Sequence, residues 1–259
     1  MKAKKSFGQH FLHRQDIAQR IADSLTQWTY CAHVLEVGPG RGMLTQYLLD
    51  KPVPLTVVEA DRDMVLYLHK YFPQLKGRIL HQDFLRLPLE ELFQGAPFAL
   101  IGNFPYNISS QILFKMVEHQ ALIPEMVGMF QKEVAERVIA GPGSKTYGVI
   151  SVLIQAFYQG EYLFTVDKSA FQPPPKVQSG VIRLLRRPQP LVPDQQYRLF
   201  RQIVKTAFGQ RRKMLRNTLK NVLDPQTAAT DEFFRQRPEQ LSVDDFVALT
   251  DRIFTRQST

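Results

Sequence analysis

The chain has 259 residues, 44% hydrophobic and 22% charged, which fits one large domain, or a medium domain plus a small one, around a packed core. No run of ~18 apolar residues could span a bilayer, and the basic opening Met1-Lys2-Ala3-Lys4-Lys5 is not followed by the apolar stretch of a secretory signal. A single cysteine, Cys31, excludes an intrachain disulfide and fits a cytoplasmic location, while the formal net charge of +9 points to a polyanionic partner.

In chain order, His33–Val37 reads as a buried strand. Met43, Leu44, Tyr47 and Leu48 then recur at helical spacing. Residues 55–58 form a second strand, followed by Met64, Val65, Leu68 and Phe72 on one helix face. Further strands are predicted at 78–80, 97–101, 126–130, 149–157 and 181–185, and helices at 110–119 and 132–139. This alternation predicts a parallel sheet covered on both faces. A proline-rich connector at 186–193 precedes a purely helical pattern, with Tyr197, Phe200, Ile203 and Val204 in one stripe. Ser242-Val243-Asp244-Asp245 resembles a capping box opening a last helix with Phe246, Leu249 and Ile253 inward. The expected organisation is an α/β domain over 1–189 and a small all-helical domain over 190–259.

Charge is clustered. Residues 183–220 hold eleven Lys and Arg and one acid, Asp194. Lys2, Lys4, Lys5 and Arg14 precede the first acid, Asp16. Clustering of this kind suits phosphate contact, because each neutralised phosphate releases a condensed counterion.

Glu36-Val37-Gly38-Pro39-Gly40-Arg41-Gly42 joins the first long strand to a helix. Glycines there permit a tight turn and close approach of backbone to a ligand. A dinucleotide fingerprint requires glycine at the sixth position from Gly38, where this chain has Met43. The spacing instead resembles the first motif of S-adenosylmethionine-dependent methyltransferases. Glu59 ends the second strand, where a carboxylate can accept both ribose hydroxyls. Asp83 follows the third, placed to accept from a cofactor adenine amine.

Asn103-Phe104-Pro105-Tyr106 follows the fourth strand. The N6 amine of adenine is a poor nucleophile, because its lone pair is delocalised into the ring. Two acceptor oxygens, the Asn103 side-chain oxygen and the Phe104 carbonyl, would draw the nitrogen towards tetrahedral geometry. They would also stabilise the positive charge that develops on it. Pro105 restrains Phe104 to extended conformations and helps aim its carbonyl. Tyr106 offers a ring on which an extruded base can stack. No strong general base is then required.

Taken together, these motifs resemble the ribosomal RNA adenine N6-dimethyltransferase family, across nearly the whole chain. The resemblance runs from Phe7-Gly8-Gln9-His10-Phe11-Leu12 through residues 34–45, 103–110, 131–138 and 170–184 to 208–219 and 237–246. It implies a Rossmann-like class I methyltransferase sheet using S-adenosylmethionine. It also implies dimethylation of two adjacent adenosines near the 3′ end of small-subunit (16S) ribosomal RNA, within an assembling 30S particle. By position, His10, Leu12, Gly38, Gly40, Glu59, Asp83 and Asn103 would contact the cofactor. Asn103, Phe104 and Tyr106 would serve the acceptor. Lys176, in the loop Phe171-Gln172-Pro173-Pro174-Pro175-Lys176, and the Arg211-Arg212-Lys213 run would face RNA. Phe104 departs from the family's usual leucine and could narrow the room for a monomethylated base. The enzyme is expected to act as a monomer, without membrane or metal. Two rival readings use the same residues: a DNA adenine N6-methyltransferase, and a non-catalytic ribosome-assembly factor.

Overall fold

The structure is a computed structural model describing residues 9–223, 226 and 230–257. The predicted basic residues Lys2, Lys4 and Lys5, and Phe7-Gly8 of the opening motif, lie outside the described residues. The chain divides into two compact units, residues 1–136 with 159–186 and residues 137–158 with 187–259.

The first unit opens with a short strand β1 (Phe11–Leu12) and helix α1 (Gln15–Ala22). The alternation then runs β2 (His33–Val37), α2 (Thr45–Leu48), β3 (Leu55–Glu59), α3 (Arg62–Tyr71), β4 (Ile79–His81), β5 (Phe98–Asn103), α4 (Ser109–Glu118) and β6 (Glu125–Gln131). Helix α5 (Lys132–Ile139) leads out of this unit and helix α6 (Val149–Gln155) belongs to the second; the first resumes with β7 (Tyr158–Val166), β8 (Phe171–Gln172) and β9 (Ser179–Arg186). The main sheet has the order β4-β3-β2-β5-β6-β9-β7. From β2 the chain winds outwards through β3 and β4, then returns to lay β5 on the other side of β2. That reversal opens a crevice at the carboxyl ends of β2 and β5, the usual place for a ligand in an open α/β sheet. Val34, Val57, Ile101, Val127 and Met129 are buried in the core beneath it.

Two expectations need correction. The run 149–157 is not a strand. It forms α6, in which Ile150, Val152, Leu153 and Ile154 are all buried. An apolar run buried on every side has no alternation, so strand and helix look alike in sequence. The strand is β7, which lies at the sheet edge and carries an exposed polar stretch with Gly160 in its interior, weakening the pattern. Nor is the sheet wholly parallel: β9 pairs antiparallel with β6, Val181 opposite Met129. Hydrophobic periodicity reports a strand but not its direction.

The second unit is helical. Helix α7 (Asp194–Gly209) buries Phe200, Ile203, Val204 and Ala207, while Tyr197 packs edge-on against Phe157 with centroids 5.4 Å apart. Helix α8 (Leu215–Thr218) and a final helix, Val243–Gln257, complete it. The Ser242 hydroxyl accepts from Asp245 N–H at 3.1 Å, and the Asp245 carboxylate accepts from Ser242 N–H at 2.8 Å. This reciprocal pair satisfies donors that a helix start leaves open. Phe246, Leu249 and Ile253 turn inward as the capping box implied.

Candidate active site

The crevice is a cleft of about 350 Å³. It gathers His10 and Leu12 from β1 and its approach, Gly38 and Gly40 from the glycine loop, Glu59 from the end of β3 and Asp83 from the end of β4. Asn103, Phe104 and Tyr106, at the end of β5, complete it. Lys176 is exposed and is not among its lining residues, and Arg211, Arg212 and Lys213 belong to the second unit.

Gly40 has φ 54°, a region that a side chain rarely adopts, and a Cβ there would press on the Phe11 ring at 3.2 Å. Gly42 has no room either: a Cβ would overlap the Phe72 ring. The loop is thus folded tightly between β1 and the end of α3. Its backbone is braced by the very acid proposed for the ribose. Glu59 Oε2 accepts from Gly40 N–H at 3.1 Å, and Oε1 accepts from Asp61 N–H at 2.9 Å. Burial raises the Glu59 pKa, while these N–H donors oppose the shift. Each oxygen keeps a second lone pair for a ligand hydroxyl. We expect Glu59→Ala to weaken S-adenosylmethionine binding roughly 10- to 100-fold, the scale of losing charge-assisted hydrogen bonds. Glu59→Gln should weaken it nearly as much, because its NH₂ would confront a backbone N–H. Calorimetric dissociation constants decide, and unchanged values would mean the ribose is held elsewhere.

Glu36 also lines the cleft and is almost completely buried, with Thr45 donating to its Oε2 at 2.7 Å. Burial pushes its pKa up to about 8, helped by the nearby Glu59 and opposed by Thr45. The folded protein therefore holds a proton that the unfolded chain releases above its ordinary pKa of 4.5. That contribution to stability is complete at low pH and is lost as pH rises through about 8. Without ligand, Glu36→Gln should match wild type near pH 4 and melt several degrees higher at pH 8.5. Thermal melts across this range test it; a constant difference would place the effect in packing.

Asp83 accepts from Leu85 N–H at 2.9 Å and caps the short turn Phe84–Arg86. Its side chain is 45% exposed. Lys115 of α4 fixes this turn from below, donating to the carbonyls of Phe84 (2.9 Å), Leu85 (3.0 Å) and Leu87 (2.5 Å). Desolvation lowers its pKa. Sequence reasoning missed Lys115, because one lysine on an amphipathic helix reads as a solvated face.

The acceptor end is equally ordered. Asn103 Nδ2 donates to the His10 carbonyl at 3.1 Å, which commits the NH₂ end and leaves Oδ1 as the acceptor. Pro105 O accepts from Ile108 N–H, and Tyr106 O from the Ser109 hydroxyl. Among the described residues nothing donates to the Phe104 carbonyl. The Phe104 ring turns away from the opening and is only 1% exposed, lying over Gly102 and Gly128 and against Phe130, with centroids 5.1 Å apart. Tyr106 shares a 2.6 Å hydrogen bond with Ser179, and burial raises its pKa, so the phenol stays neutral. The His10 ring stacks beside it, centroids 5.5 Å apart, with Nδ1 2.9 Å from Pro173 O. Among the described residues no group of three or more His, Cys, Asp or Glu could hold a metal.

A cleft of this size, with paired acids beyond a glycine loop and two acceptor oxygens at its mouth, fits a nucleoside cofactor and a second, amine-bearing base. The comparisons point the same way. A family model described as "Ribosomal RNA adenine dimethylase" matches residues 1–256. A protein named ribosomal RNA small subunit methyltransferase A from Flavobacterium johnsoniae is 53% identical over 98% of this chain and 96% of its own. One of the same name from Porphyromonas gingivalis is 54% identical over 96% of this chain and 97% of its own. A dimethyladenosine transferase from Plasmodium falciparum has the same fold, with a TM-score of 0.76 at 23% identity over 96% of this chain and 98% of its own. The 23S rRNA methyltransferase ErmE superposes with a TM-score of 0.70 at 26% identity, over 94% of this chain and 99% of its own.

Proposed function

The chain belongs to the ribosomal RNA adenine dimethylase family, and from that premise we propose that it dimethylates the N6 amines of two adjacent adenosines near the 3′ end of small-subunit ribosomal RNA. It is an S-adenosylmethionine-dependent enzyme with a class I methyltransferase sheet. The observation that carries the reading is the turn Asn103–Tyr106 opening on the same cleft as Glu59 and Asp83. That juxtaposition favours catalysis over a purely assembling role, and relatives named for small-subunit RNA favour RNA over DNA.

When bound, S-adenosylmethionine supplies an electrophilic methyl group. Glu59 would hold the ribose and Asp83 the adenine, with Lys115 keeping the Asp83 turn in place. Asn103 Oδ1 and the Phe104 carbonyl accept from the two N–H groups of the target amine and stabilise the charge it gains. Tyr106 stacks on the extruded base. Both oxygens are preset by bonds elsewhere in the turn, so little reorganisation is needed at the moment of reaction. No helix among the described residues is long and apolar enough to cross a membrane. We place the enzyme in the cytoplasm, acting as a monomer on an assembling 30S particle. Mass spectrometry of small-subunit RNA made with and without the protein tests the reading; dimethyladenosine unaffected by its removal would overturn it.

The RNA-facing run divides. Arg211 donates to the carbonyls of Lys145 and Ser144, each at 2.9 Å, and lies 4.0 Å from Glu239, so it holds its own unit together. Arg212 and Lys213 are exposed. We expect Arg212→Glu with Lys213→Glu to weaken RNA binding and make its salt dependence shallower, by roughly 0.7–0.9 in log–log slope per lost phosphate contact. Arg211→Glu should lower the melting temperature instead. Binding titrations over salt, with thermal melts, separate the two; a lower affinity with unchanged slope would place the pair in folding.

A further inference from the structure

The turn that carries the acceptor oxygens is also tied to the sheet from outside the cleft. Tyr106 is half-buried, and its phenol shares a 2.6 Å hydrogen bond with the hydroxyl of Ser179. Ser179 opens β9 opposite Gln131 and is completely buried, and it is not among the residues lining the cleft. Its own position is fixed on both sides. The carbonyl of Gln178 accepts from Lys132 N–H at 2.9 Å. Gly180 packs so closely that a Cβ there would come within 2.8 Å of Ala135 Cβ and 2.7 Å of the Tyr162 hydroxyl. The strand therefore has no room to shift. Tyr106 is held at its ring tip by Ser179 and at its carbonyl by Ser109. The His10 ring stacks beside it with centroids 5.5 Å apart, itself anchored through Nδ1 to Pro173 O at 2.9 Å.

We propose that Ser179 is a positioning residue for methyl transfer: it fixes the Tyr106 ring as the platform on which the target base stacks, and its effect is largest on the second transfer. The inference rests on the dimethylation proposed above. In the first transfer the amine has two N–H groups, and bonds to Asn103 Oδ1 and the Phe104 carbonyl both orient it. In the second transfer one N–H remains, so one of those bonds is gone and the ring carries more of the orientation. In-line attack on the methyl group depends on that alignment. A ring released at its tip can swing, and the base stacked on it tilts with it. A tether that served stability alone would slow both transfers alike.

The test uses the full chain on unmethylated small ribosomal subunits, with single-turnover rates at saturating cofactor and products resolved by mass spectrometry. The bond is broken from either end. Tyr106→Phe keeps the ring and removes the hydroxyl, whereas Ser179→Ala keeps the phenol and removes its partner. Each should slow the second transfer about 10-fold and the first about 3-fold, the scale of one buried hydrogen bond, so that monomethyladenosine accumulates. The double variant should be no slower than the slower single one, because the bond is lost only once. Dissociation constants for S-adenosylmethionine should be unchanged in all three. Both rates come from the same protein, so a lower folded fraction of Ser179→Ala leaves their ratio intact. Equal slowing of the two transfers overturns the proposal, as do additive losses in the double variant or an unchanged dimethyl yield in either single one. Absence of dimethyladenosine from the wild-type reaction overturns the substrate reading itself.

Discussion

Asn103→Ala should reduce methyl transfer by at least about 100-fold while leaving the sheet folded. Removing one preorganised electrostatic contact at a reacting centre has effects of this size. The side chain has two ends: Nδ2 ties the turn to the His10 carbonyl at 3.1 Å, which leaves Oδ1 for the acceptor role proposed towards the target amine. Asn103→Asp separates them. It keeps an acceptor oxygen but loses the donor, and sets a carboxylate against the His10 carbonyl. If the tether matters only for binding the arm, Asn103→Asp should raise the dissociation constant for S-adenosylmethionine and retain more kcat than Asn103→Ala. Single-turnover rates at saturating cofactor make the comparison. Alanine activity within a few-fold of wild type would remove Asn103 from the chemistry.

What could be read from the sequence was local. Val57-Val58-Glu59 declares a strand and the acid at its end; Gly38-Pro39-Gly40 declares a turn with room for a ligand. The fold brings both to one crevice because β2 and β3 are parallel neighbours, and the crevice opens where β5 returns on the other side of β2. What could not be read was pairwise and distant. The ammonium of Lys115 meets carbonyls some thirty positions earlier. His10 stacks on Tyr106 only because β1 crosses to pair with β8, bringing Leu12 opposite Phe171. The run 149–157 failed for another reason. Burial on all sides removes the periodicity that distinguishes helix from strand.

Phe104 is the clearest case of a residue whose meaning lies in its neighbours. In sequence it is a bulky residue where leucine is usual, standing beside the target base. In the fold its ring is buried over Gly102 and Gly128. The opening is left to the carbonyl, so a monomethylated base meets no added bulk. We therefore expect N6,N6-dimethyladenosine as the final product, with no persistent monomethyl form on digestion and mass spectrometry at long reaction times.

The same packing makes Gly128 a sensitive position. A Cβ there would overlap the Phe104 ring and come within 2.6 Å of the Phe130 ring. Overpacking of this kind costs about 1–3 kcal/mol, or several degrees in melting temperature. The kinetic effect should be larger than the thermal one. The ring is hemmed in by Gly102 and Phe130, so part of its displacement should pass to the Phe104 backbone, and a displacement of ~1 Å in a group that positions the substrate can cost ~100-fold in rate. Gly128→Ala should therefore lower kcat by about 10- to 100-fold, with accumulation of monomethyladenosine, because the second transfer tolerates the least misplacement. Adding Phe104→Leu removes the ring atoms nearest the new methyl and should restore part of the rate and of the dimethyl product, although Phe130 still crowds the site. Gly102→Ala provides the contrast. Its Cβ would come within 2.6 Å of the Val37 carbonyl oxygen, which is backbone, as well as 2.9 Å from the Phe104 ring, so the same leucine should relieve only the second of these contacts and restore less. Rate constants and product ratios for the four variants decide the matter. If Phe104→Leu restores neither rate nor dimethyl product to Gly128→Ala, the ring is not what couples the sheet to the acceptor oxygen.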